Sequence, residues 1–171
     1  MVIGCIDSRV SPEIVFDAGP GEMPVVRNVA NLVPRYEPDR DWQHGTSAAR
    51  EFAVQALGLR HIVVLGHADC CGIRAFADER HPLSPGDFIG RWMAQIAPAD
   101  ALGPRPRDND GGYLRRLASI EHILANLTTF PWIRSAVERG ALHLHGAHFG
   151  IATGQLLVHD GPAGRFAPVA P

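Results

Sequence analysis

The chain contains no lysine, so all 16 of its basic residues are arginine. A lysine Schiff base or amine nucleophile is therefore excluded, and the bias itself reads as genomic composition. No stretch approaches the roughly 20 consecutive apolar residues of a membrane span. The N-terminus lacks the basic region and cleavage pattern of a secretory signal. No long basic run occurs and net charge is −2, which gives a nucleic-acid or anionic-membrane partner little electrostatic support. Cysteine is scarce: three residues, an odd number and too few for a disulfide scaffold. That usage fits a reduced compartment with sulfur kept for metal or chemistry. The expectation is a cytoplasmic protein.

What is present is an ordinary globular balance, 46% hydrophobic and 20% charged over 171 residues. Such a length suggests one domain, residues 1–171, able to bury about 70% of its unfolded surface without a staple. Residues 1–7 (MVIGCID), 24–29 (PVVRNV) and 61–66 (HIVVLG) read as buried strands. Residues 45–57 form an amphipathic helix, with Thr46 or Ser47 as cap and Gly58 just past its end. Strand, helix, strand in this order implies a right-handed parallel unit.

Further helices are expected over 84–96, 113–127 and 130–139, with a Pro/Gly/Asp-rich mobile loop at 97–112. Late strands at 141–146 and 153–160 join through Gly150, and the Pro/Gly/Ala-rich residues 161–171 are expected to be a flexible tail. The fold class expected is α/β, a mostly parallel central sheet with flanking helices and an antiparallel edge strand.

Two segments carry candidate chemistry: Cys5-Ile6-Asp7-Ser8-Arg9 and Gly66-His67-Ala68-Asp69-Cys70. Each follows a predicted parallel strand, where open α/β sheets place their ligands. On an extended chain residues 5, 7 and 9 share one face. His67 and Cys70 lie three apart across a strand-to-helix turn, close enough to grip one ion. Two cysteines and a histidine with an open fourth position form a known catalytic zinc set, and a helix after Cys70 would favour its thiolate. Spacing alone leaves Cys5 open, since a lone cysteine on an apolar strand is more often a small buried hydrophobe.

The sequence is similar to β-class carbonic anhydrases over nearly its whole length. The resemblance rests on CIDSRVSPE (5–13), DAGPGE (17–22), VVRNVANLVP (25–34), GTSAA (45–49), HIVVLGHADC (61–70), SIEHIL, TFPW and the closing HG…IATGQLLV (145–158). It implies zinc held by Cys5, His67 and Cys70, and a catalytic dyad of Asp7 and Arg9. It further implies reversible hydration of carbon dioxide to bicarbonate and a proton, with zinc-bound hydroxide as nucleophile, and a homodimer or higher homo-oligomer. Asp7 would orient the hydroxide while Arg9 holds Asp7 by a bidentate pair. With that pair broken, Asp7 could take the fourth zinc position in an inactive closed state. The alternative keeps Asp7 off zinc throughout, acting on the metal's ligands and water.

The chain departs from the family's pattern at several points. The helical arm expected before the first strand is missing. Cys71 stands where the family has glycine and Gly72 is retained, so the Cys71 N–H and Gly72 are candidate substrate contacts, with a Cβ that crowds the pocket. Gly19 replaces a pocket glutamine of plant-type members. Val2 stands where a subgroup with a non-catalytic bicarbonate site has tryptophan, although Arg27 matches that subgroup. Two rivals use the same residues: a CS2 or COS hydrolase on the same scaffold, and a catalytically silent zinc-stabilised interaction domain. Cys71 otherwise reads as a spare thiol, Asp69 as a turn residue, and Trp42, Trp92 and Trp132 as packing. His143 and His145 share a strand face and read as a cross-strand or surface pair, with no third ligand beside them in the sequence.

Overall fold

A computed structural model describes residues 1–38, 45–77, 87–94, 111–161 and 165–169. Four short apolar runs form its parallel strands: β1 (Val2–Cys5), β2 (Val25–Asn28), β3 (His61–His67) and β4 (His143–Gly150). Two antiparallel strands, β5 (Gln155–Asp160) and β6 (Arg165–Pro168), extend the sheet to the order β2-β1-β3-β4-β5-β6. The expected mixed α/β architecture is present, with two antiparallel strands at the edge rather than one. Residues 165–168, assigned by sequence to a flexible tail, are β6. Low-complexity Pro/Gly/Ala composition hid a strand whose Phe166 ring meets His159 at a tilt and packs against the main core.

Side-chain alternation divides the central strands between two faces. Ile3, Ile62 and Val64 join Ile120, Ile123, Leu127 and Ile133 in the larger core, contributed by α5 (Gly111–Leu127) and α6 (Pro131–Glu138). Val2, Leu65 and Ala147 face the other way, onto Val10 and the short helix α1 (Pro12–Val15). The α5 helix lies unusually close to the sheet. A Cβ built on Gly66 or Gly146 would come within 2.8 Å of the Ile120 side chain, so the two glycines form the seat for that residue.

The helix expected over 45–57 is α2 (Gly45–Glu51) running into a π-helical turn, Phe52–Ala56, closed by Leu57 N–H donating to the Phe52 carbonyl. Gly58 ends it at φ +62°, as expected. Thr46 and Ser47 lie inside the helix instead of capping it, and Ser47 Oγ accepts from Arg50. Two further helices are α3 (Cys71–Ala77) and α4 (Asp87–Met93). The ends expected for the 84–96 helix and most of the 97–112 loop lie outside the described residues.

The connections set the position of the site. From β1 the chain crosses to β2 on one side, then returns to place β3 on the other side of β1. That reversal leaves a crevice at the carboxyl ends of β1 and β3, where doubly wound sheets bind their ligands.

Candidate metal centre

β1 ends at Cys5, β3 ends at His67, and the turn after β3 carries Cys70 to the start of α3. The three donor atoms lie within 4.8 Å of one another and all three residues are buried. His67 Nδ1 sits 2.8 Å from the Ala68 carbonyl, which places the ring proton there. Nε2 is left with a lone pair, fully buried and without a hydrogen-bond partner. An orphaned imidazole nitrogen facing two sulfurs is costly in a dry pocket unless a cation occupies the space between them. The donor set, two sulfurs and one nitrogen, suits zinc with one position open.

The sulfurs are supported from the backbone. The Cys5 thiol is lowered to about 4, first by the hydrogen bond from Cys70 and further by the N–H groups of Asp7 and Ala30. Cys70 is pushed strongly up by giving its proton to Cys5 and by burial, against which the Gly72 and Ile73 N–H groups at the start of α3 pull downward. The expected approach of a helix start to this sulfur is thus present. Ala30 donates its N–H from a left-handed conformation, φ +61°, while completely buried. Such strain is held in place by its surroundings: the Asn28 side chain brackets the turn, accepting from Leu32 N–H and donating to the Leu32 carbonyl. Nothing in the sequence marks an alanine for this role.

Asp7 and Arg9 meet for a different reason than strand alternation. The chain leaves the strand after Cys5 and turns at 8–9, with Val10 N–H donating to the Asp7 carbonyl. Asp7 Oδ1 accepts from both the Arg9 N–H and Nε at 3.0 Å, and Oδ2 accepts from Nη2 at 2.6 Å. Arg9 Nη2 also donates to the Asp69 carbonyl, tying the turn after β1 to the turn after β3. This bidentate clamp holds the Asp7 carboxyl well below the usual carboxylate range. Asp7 Oδ2 lies 3.9 Å from His67 Nε2, at the edge of the donor group rather than in it.

Arg27 is a second residue whose role the sequence left unread. From β2 its guanidinium donates to the carbonyls of Cys5, Asp7 and Val10, fixing the whole turn that carries the dyad. An arginine inside an otherwise apolar strand was the available signal. Cys71 is exposed. Gly72 is buried where a Cβ would meet Val29, Ala30 and Met93 at 3.2–3.4 Å, so its missing side chain lets α3 approach the Ala30 turn.

A family model described as carbonic anhydrase matches residues 1–156. A carbonic anhydrase of Pseudomonas aeruginosa is 36% identical over 99% of this chain and 77% of its own length. The chain spans about half the length of two Arabidopsis thaliana β-carbonic anhydrases that are 35% identical. Among solved structures, the β-carbonic anhydrase CcaA superposes with TM-score 0.87 at 28% identity, covering 98% of this chain and 82% of that one. A tetrameric β-carbonic anhydrase of Sordaria macrospora follows at TM-score 0.77 and 27% identity, covering 99% and 81%. With the crevice, the donor set and these likenesses in agreement, the chain belongs to the β-carbonic anhydrase family of enzymes.

Proposed function

We propose that this chain catalyses the reversible hydration of carbon dioxide to bicarbonate and a proton, with zinc held by Cys5, His67 and Cys70. One observation carries the reading: three buried donors converge at the crevice beside a carboxylate already locked by an arginine. Zinc bound there supplies Lewis acidity that brings a water into the near-neutral range, the behaviour for which carbonic anhydrases are the standard example. Asp7, fixed by Arg9, accepts a hydrogen bond from the attacking water and so aims an oxygen lone pair at the carbon of carbon dioxide. Because Arg9 occupies both carboxylate oxygens, Asp7 is kept as an orienting group and off the metal. Arg27 holds the backbone beneath them. The Cys71 N–H, at the start of α3, and Gly72 line the substrate position.

Residues 1–171 act as one domain, and the functional form is at least a homodimer. Apolar side chains left in the open, Ile14 at 82%, Phe88 at 91% and Phe52 at 60% exposure, support association, and the relative from Sordaria macrospora is tetrameric. A cytoplasmic setting is supported by three free cysteines. Among the described residues no helix is long and apolar enough to cross a membrane.

The test combines zinc content with the rate of carbon dioxide hydration. The purified chain is expected to hold one zinc and to hydrate carbon dioxide, and Cys5→Ala or Cys70→Ala to lose both. Zinc retained without hydration would instead mark a silent zinc-stabilised domain. Turnover of CS2 or COS alone would mark the hydrolase.

A further inference from the structure

We propose that His61, His143 and His145 form a second site, for a divalent first-row transition cation such as Ni2+ or Zn2+, at the end of the sheet opposite the Cys5/His67/Cys70 crevice. The third ring, absent from the neighbourhood in sequence, is supplied by parallel pairing, which sets His61 opposite His143 and Val63 opposite His145. The three side chains fall on the face that carries Val63, Leu65 and Ala147.

His61 Nδ1 faces His145 Nε2 at 3.1 Å. Two nitrogens sharing one tetrahedral zinc at 2.0–2.1 Å stand about 3.3–3.4 Å apart, so the observed separation is close to that of a chelating pair. The His143 ring stacks on His61 with centroids 5.2 Å apart, and its nitrogen joins the pair only after a side-chain rotation. His61 and His143 are exposed and His145 is half-buried, which gives an ion access from solvent. Burial, and then the neighbouring His61 and His143, make His145 harder to protonate, which favours the neutral, ligating ring. An all-nitrogen donor set disfavours magnesium and calcium and suits nickel, copper and zinc. Six residue steps along β3 separate His61 from His67, about 20 Å, so the two sites fill independently.

The experiment titrates the zinc-loaded chain with Ni2+ by calorimetry. One saturable Ni2+ per chain is expected beyond the resident zinc. His61→Gln and His145→Gln should each weaken it at least about tenfold, the loss seen even for groups that only support a ligand. His143→Gln should weaken it less. Zinc content and circular dichroism report whether each variant is folded; should His145→Gln misfold, the exposed His61 position carries the test. Absence of saturable binding would show that the pair is only an imidazole–imidazole hydrogen bond. Equal Ni2+ affinity in His61→Gln and wild type would show adventitious chelation elsewhere. Either result overturns the site.

Discussion

Cys5 and Cys70 divide one proton unequally. In the metal-free chain the hydrogen bond between them pulls the Cys5 thiol down and pushes the Cys70 thiol up, so the pair holds its last proton strongly. Zinc requires both sulfurs deprotonated, so binding at neutral pH should release about one proton rather than two. Calorimetry in two buffers of different ionisation enthalpy measures this number, and a value of two would show that Cys5 starts as a thiol. Asp7 gives a second prediction at this scale. Its folded pKa is depressed, so the Arg9 clamp contributes fully above the ordinary carboxylate value of about 4 and is lost only as pH falls through the folded value. Carbon-13 titration of the Asp7 carboxyl should therefore be flat above about pH 5. Asp7→Asn should keep its zinc and lower kcat/KM about 10²-fold or more, the usual worth of a positioned proton acceptor. Zinc loss in that variant would make Asp7 a ligand.

Between α5 and the sheet the decisive contact is Ile120 against Gly66 and Gly146. Gly146→Ala should destabilise by about 1–3 kcal/mol through overpacking, measured as a lower urea midpoint at unchanged slope. Adding Ile120→Val should recover part of it, because the residues share one contact; strict additivity would show that the cost arises elsewhere. Strands β1, β2 and β3 were legible because apolar β-branched runs ended in polar residues, and α6 because Pro131 marks its start. The spacing of His67 and Cys70 pointed only to a shared ion, and the surrounding motifs carried the full set, Cys5 included. What escaped was set by tertiary contact. The left-handed Ala30 turn exists because Asn28 brackets it, and β6 because β5 offers an open edge. The Asp7–Arg9 pair was found through the wrong geometry: a tight turn, not an extended strand, brings the two together.

For the molecule as a whole, the exposed apolar side chains Ile14, Phe52, Leu57 and Phe88 predict self-association, since covering apolar surface is favourable. Sedimentation should find a dimer or larger species at micromolar protein, and a fully active monomer under those conditions would contradict it. The crevice between β1 and β3 has one more consequence, for the path by which the chain reaches its native state. His67 and Cys70 are near neighbours and can seize an ion in an unfolded chain, but Cys5 lies 65 positions before Cys70. Closing a loop of that length costs about 4 kcal/mol of chain entropy by the cross-link formula, and the cost is met only when β1 docks beside β3. An ion caught early by the downstream pair is a tether in waiting. Once Cys5 joins, it holds β1 shut against β3, two strands that pair across a long stretch of chain, and unfolding must first release that grip.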